Sequence, residues 1–238
     1  MSKVQVVLVI ETILCKIVSY GATLHEGDWE LVFHAVSGSG ENVTEAWRTK
    51  YKKECDLFKN NCPCSIKDGC LPSSFKMETL GSCPRKHLRS VKIDYWNCLD
   101  VKKVKLALNS QGKTLAFLEF DGKGSNLMNW FQNSRILNSS WTDMNKHGSY
   151  NVFSIDKENR YGRHFFVNKV YPRTGCAADE GWLVVMDFKR SGPCPCEAQK
   201  SYPQFLYSPN GTVTRWQKFD TGQLANTRQY TWLIQNGK

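Results

Sequence analysis

Apolar and polar residues alternate along much of this chain with the period of two that marks strands, and runs with helical spacing are few. "GDWELVFHAV" (Gly27 to Val36) opens with a strand-like run that sets Trp29, Leu31 and Phe33 on one face, and "SGSGEN" follows as a loop. "VTEAWRTKYKKECDLF" (Val43 to Phe58) predicts a short helix with Thr44 as its N-cap. Arg85 to Lys105 reads partly as an alternating strand. The clearest hairpin sets Val104, Leu106 and Leu108 against a return strand from Thr114 to Phe120, with the turn at Asn109-Ser110-Gln111-Gly112. "SNLMNWFQNSRILNSSW" (Ser125 to Trp141) predicts a helix in its first half, because Leu127, Trp130 and Phe131 share a helical spacing. "YNVFSI", "RHFFVNKVY", "GWLVVMDF", "YPQFLYS" and "QYTWLIQ" complete the predicted strands.

Between these runs, Asn60 to Arg85 is rich in Cys, Pro, Gly and Ser without periodicity, and the cysteine-rich insertion as a whole spans about residues 55–98. No repeat appears, and no linker divides the chain. The pattern predicts an α+β, β-rich single domain over residues 23–238, with mostly antiparallel sheet, a few short helices and disulfide staples. With 238 residues, eight Trp, nine Tyr and twelve Phe, there is ample material for a core.

The N-terminus bears on compartment. Lys3, an apolar stretch from Val4 to Val18 and the small residues around Gly21-Ala22 predict a signal peptide over residues 1–22. Glu11, Lys16 and the short length argue against a membrane span. Three glycosylation sequons, at Asn42, Asn138 and Asn210, agree with secretion. So do ten cysteines, read as a disulfide framework in an oxidising compartment. Loss of Cys15 with the leader leaves nine, so one thiol is free or pairs with another chain.

A formal charge of +10 invites a nucleic-acid reading, but the basic residues are spread out and interleaved with acids, and no nucleic-acid-binding module is present. The charge is either a solvated basic face or a contact for acidic glycans, anionic surfaces or mineral.

Catalytic motifs are missing. The five histidines sit in no H-E-x-x-H helix, and G-x-S-x-G, the P-loop and G-x-G-x-x-G after a strand do not occur. "DGKGSN" (Asp121 to Asn126) reads as a turn, and His164 as a structural histidine within a strand. Asp179-Glu180 is an adjacent carboxylate pair, but neighbours on a strand point to opposite faces, so a calcium contact or a solvated turn fits better than acid–base catalysis. Cys62, Cys64, Cys194 and Cys196 form two C-P-C steps whose single intervening residue is short for a zinc site, and C-x-x-C is absent. No metal ligand set and no catalytic residue is assigned, and the chain is not read as an enzyme.

From Gly175 the order Cys176-Ala177, three further residues, Gly181-Trp182 and a cysteine a dozen residues on resembles the C-terminal part of fibrinogen-related domains. "GDWELVFHAVSGSGENVTEAWRTKY" resembles that family's opening strand, turn and Trp-containing helix, and "LMNWFQNSRIL" is similar to a segment of intelectins, which are related lectins. The chain is also similar in character to secreted invertebrate proteins of coral skeletal matrix. The resemblance implies a fibrinogen C-terminal-like fold and pairing of Cys176 with Cys194 or Cys196. The family's calcium loop carries an Asp-x-Asp pair shortly before the Cys-Ala step. This chain has Asn168 and no aspartate over Asn168 to Gly175, so no cofactor is assigned. Cys55, Cys62, Cys64, Cys70, Cys83 and Cys98 have no simple family counterpart.

The function implied is a secreted, lectin-like or matrix-adhesion module whose partners are extracellular glycans or matrix components. A structural matrix component binding anionic polymer or mineral is the alternative, and a hydrolase using Asp179 or Glu180 is a third reading. Candidate ligand-binding residues are Asp179, Glu180, Trp182, Tyr202, Tyr207 and Trp216.

Overall fold

The computed structural model describes residues 25–26, 28–49, 87–110, 113–144, 152–155, 162–170, 179–189, 194, 197, 201–216, 225–226 and 229–236. The predicted leader and Cys55, Cys62, Cys64, Cys70, Cys83, Cys176 and Cys196 lie outside these residues. The expected strand alternation folds into two antiparallel sheets. One is seven-stranded, in the order β1 (His25–Glu26), β2 (Trp29–Val36), β13 (Gln229–Asn236), β4 (Val101–Ser110), β5 (Lys113–Asp121) and β6 (Ile136–Ser139), with β3 (Leu88–Arg89) beside β2. The other is six-stranded, in the order β12 (Ala225–Asn226), β10 (Gln204–Tyr207), β9 (Glu180–Met186), β8 (Arg163–Val170) and β7 (Val152–Ser154), with β11 (Thr214–Arg215) beside β9. The β-rich, antiparallel class read from the sequence therefore holds.

The two sheets share one core. Val104, Leu106 and Leu108 of β4, Leu118 and Phe120 of β5 and Trp232 of β13 meet Phe165, Val167, Leu183, Val185 and Phe205 of the second sheet. Trp47, Trp96 and Trp130 fill the middle of that cluster. The outer face of the second sheet is also covered, by a smaller cluster of Phe166, Val184, Met186, Cys194, Leu206 and Trp216. Strands buried on both faces read as continuous apolar runs, which is why "GWLVVM" does not alternate.

Three expectations are corrected. Trp29, Leu31 and Phe33 do not share a face. Trp232 stands opposite Phe33 but Leu233 opposite Leu31, so β2 takes up one extra residue, Val32, as a bulge. Phe33 then turns inward onto Trp47 and Trp232, while Trp29 stays outside beside Lys105. The helix α1 spans Val43–Arg48 and stops at Thr49, which is extended (φ −71°, ψ 114°), while the remainder of the predicted run to Phe58 lies outside the described residues. Its N-cap is Asn42, whose Oδ1 accepts from Glu45 N at 2.8 Å, while Thr44 lies inside the helix. Finally, residues 125–132 form turns and no helix. Asn126 Oδ1 accepts from Met128 N and Asn129 N, each at 2.9 Å, and Asn129 Oδ1 accepts from Asn126 N at 2.6 Å. Asparagine side chains thus offer the backbone local partners that compete with a helical ladder. The turn frees the Leu127 carbonyl to accept from both Trp47 Nε1 and Trp130 Nε1 at 3.1 Å.

Asp187, just past β9, ties the second sheet to α1. Its Oδ1 accepts from Val43 N at 2.7 Å and its Oδ2 from Thr44 N at 3.0 Å, at the positive end of α1. Burial nevertheless pushes its pKa up to about 6, against the pull of these hydrogen bonds. Three buried histidines shift the other way. Burial lowers His34 to about 3, helped by neighbouring His87, and lowers His87 and His164 to about 4. His87 Nδ1 accepts from Val36 N at 3.1 Å, whereas neither ring nitrogen of His34 has a hydrogen-bond partner among the described residues. The expected structural role of His164 fits its burial and the 3.3 Å approach of Nδ1 to Ile155 O.

A histidine whose folded pKa is lowered contributes stability that is full above its unfolded value of about 6.5 and is lost as pH falls towards the folded value. Asp187, with a raised pKa, works in the opposite sense, its contribution being lost as pH rises through about 6. Three histidines outweigh one carboxylate, so urea unfolding between pH 7.5 and pH 4 should show stability falling by on the order of a few kcal/mol. His34→Leu should flatten that fall. A stability that is constant or rises on acidification would refute this reading of the buried histidines.

Candidate functional site

The Gly-Trp motif and its acidic step build a buried polar knot on the outer face of the second sheet. Asp179, immediately before β9, is 0% exposed. Its Oδ2 pairs with Arg163 Nη2, and its Oδ1 accepts from Asn168 Nδ2 at 2.8 Å. Arg163 Nε donates to Glu197 Oε1 at 2.6 Å, and Glu197 Oε2 accepts from Cys194 N at 2.8 Å. Trp216 Nε1 donates to Asn168 Oδ1 at 3.1 Å, and Trp216 N to Asp179 O at 3.0 Å. Burial opposes the charge of Arg163, yet its two carboxylate partners hold it more firmly protonated than usual.

Gly181 is explained by the same knot. A Cβ there would lie 2.5 Å from Asn168 Oδ1, 2.7 Å from Val167 O and 2.8 Å from Trp216 Cζ2, so only glycine lets the strand approach. Cys194 is buried and disulfide-bonded, and the expected pairing with Cys176 falls outside the described residues.

These contacts decide what the predicted site residues can do. Asp179 is not in a solvated turn: it is fully buried, with its oxygens on Arg163 Nη2 and Asn168 Nδ2. Glu180 points the other way, half-buried, with Oε1 3.5 Å from Lys169 Nζ. Asn168, standing where the resembled family has its calcium loop, spends its carboxamide on Asp179 and Trp216. Trp182 and Trp216 are each 1% exposed and Tyr207 6%, so their rings form core and present no face to a sugar. Trp182 Nε1 donates to Asp143 Oδ1 at 2.7 Å, fastening the strand to the loop after β6. Tyr202 is half-buried, with its hydroxyl donating to Glu197 O at 2.6 Å.

Accessible rings with polar neighbours occur instead on the outer face of the seven-stranded sheet. Because β4 buries Val104, Leu106 and Leu108, period two turns Lys103 and Lys105 outward. Phe117 and Glu119 likewise face out from β5, and the register sets Lys105 directly opposite Glu119. Lys105 Nζ lies 4.9 Å from the Phe117 ring centre and 5.4 Å from that of Trp29, and 3.4 Å from Glu119 Oε1. The two cation–π contacts and the ion pair fix one ammonium between two half-buried rings. Each such contact is worth about 0.5–1 kcal/mol at a wet surface. Lys103, one step along β4, is exposed opposite Asp121.

Such a surface offers ring faces for apolar C–H groups and a paired cation and carboxylate for hydroxyls. Sequence reasoning missed these four residues. The available signal was the hairpin alternation itself, which marks Lys105, Phe117 and Glu119 as outward. No family model, curated protein or solved structure matches the chain.

Proposed function

We propose that this chain is a secreted extracellular recognition module, lectin-like or matrix-adhesive, that binds glycans on the outer face of its seven-stranded sheet. The observation that carries the reading is the Trp29–Lys105–Phe117 arrangement with Glu119 at its side. Sugar rings present apolar C–H faces and a rim of hydroxyls. Aromatic rings stack on the former, and a fixed ammonium–carboxylate pair hydrogen-bonds the latter at little cost in side-chain ordering. The sequons, the cysteine content and the N-terminal pattern support secretion. The hydrolase reading gains nothing from Asp179, which the Arg163 knot occupies.

A glycan array read with and without calcium tests the proposal. Wild-type protein should bind at least one sugar, and Phe117→Ala or Trp29→Ala should weaken that binding about tenfold, the equivalent of one stacking contact. The absence of binding to every sugar would falsify the lectin reading. The alternative, a structural matrix component that holds anionic polymer or mineral, draws on the formal charge of +10. It requires adsorption to sulfated polymer that fades with salt and is indifferent to Phe117→Ala.

A further inference from the structure

The seven-stranded sheet ends at β6, and among the described residues β6 has no strand on its far side. A free edge carries unpaired backbone donors and acceptors that invite pairing with another chain. This edge also carries Leu137, which at 53% is the most exposed large apolar residue described. Two of the three sequons converge here. Asn138 is exposed on β6 itself, directly opposite Glu119 of β5. Asn210 is exposed in the turn after β10, and that turn is fastened to the residues that follow β6. Thr142 N donates to Gly211 O at 2.8 Å, Trp141 Nε1 to Ser208 O at 2.8 Å, and Val213 N to Asp143 Oδ2 at 2.7 Å. The side-chain oxygens of Asn138 and Asn42 both accept backbone hydrogen bonds, from Ser139 N and Glu45 N, but Asn42 is half-buried where Asn138 is exposed.

We infer that Asn138 and Asn210 both carry N-linked glycans, and that the pair covers the free β6 edge and keeps the protein monomeric. N-glycans are bulky, hydrated and confined to surface positions, which suits an edge that must not pair. The inference rests on the secretion part of the proposed function. It also bounds the ligand face, because a glycan on Asn138 stands at the Glu119 side of the Trp29–Lys105–Phe117 arrangement.

The full chain expressed in a secretory host decides the matter. Peptide mapping after enzymatic deglycosylation in heavy-oxygen water should find labelled aspartate at positions 138 and 210. The glycosylated protein should sediment as a monomer, whereas the deglycosylated protein and Asn138→Gln/Asn210→Gln should self-associate with rising concentration. Leu137→Lys in the latter background should restore the monomer, which places the contact at β6. Secreted protein with either asparagine unmodified, or a deglycosylated chain that remains monomeric, overturns the inference and leaves secretion standing. A chain retained in the cytosol overturns both.

Discussion

Arg163→Ala should lower the unfolding free energy by about 3–5 kcal/mol, the cost of removing one partner from a buried ion pair and leaving the other charge uncompensated. Here two charges are left. Asp179 and Glu197 are 0% and 1% exposed, and their neutral donors, Asn168 Nδ2 and Cys194 N, would not replace the lost cation. Total stabilities of domains run to about 5–15 kcal/mol, so the variant stands near the edge of folding. Its pH response identifies the cause. Protonation relieves a buried carboxylate left without its cation, so acid should weaken this variant less than it weakens the wild type. The combination Arg163→Met, Asp179→Asn and Glu197→Gln, which removes every charge, should recover much of the loss. Urea titration of the three proteins provides the comparison. If Arg163→Ala costs no more than an exposed Lys103→Ala, the knot contributes nothing to stability.

Trp47→Ala is expected to cost a similar amount, about 3–5 kcal/mol, by opening a cavity where the two sheets meet the helix. Trp47 is 0% exposed and touches Phe33 and Phe165 edge-on at 5.4 and 5.9 Å and Trp232 in a stacked contact at 6.2 Å. The Leu127 carbonyl keeps its bond from Trp130, so the loss is one of packing, with no polar group orphaned. Trp47→Phe should therefore recover more than half of it. Near-ultraviolet circular dichroism should report loosened packing, since Trp47 couples to four other aromatic rings of the cluster besides Phe33. A cost below about 1 kcal/mol would show that α1 is not docked as described.

The strands were legible because their signal is local: alternation in Val104, Leu106 and Leu108, or a short apolar run such as "GWLVVM". Features that depend on distant partners, or on side chains competing for the local backbone, were not. The Val32 bulge appears only when β13 pairs with β2, and it alone decides whether Phe33 faces inward or outward. The helix predicted after Ser125 rests on apolar spacing, but Asn126 and Asn129 draw the backbone into turns, and that competition leaves no mark in the spacing. Asp179 stood out in the sequence, whereas Arg163, Asn168 and Glu197, which determine what Asp179 does, lie on separate segments and carry no motif. The Gly181-Trp182 pair carried the resemblance, and its glycine has a reason within this chain: it lets β9 pass against Asn168 and Trp216. Lys105, Phe117 and Glu119 come together through the pairing register, which only the folded hairpin reveals.

The strand order has a consequence for how the molecule is made. β13 is the last of the described strands in sequence, yet it sits inside the first sheet, with β2 on one side and β4 on the other. A ribosome delivers β2 and β4 long before β13, so during synthesis each displays an open edge with nothing native to pair with. Their apolar faces and backbone groups are then exposed to neighbouring chains for the whole interval. Whatever covers those two edges until β13 is made therefore matters to folding as well as the stability of the finished sheet. An arrest of translation just short of Gln229 would leave both edges without their shared partner.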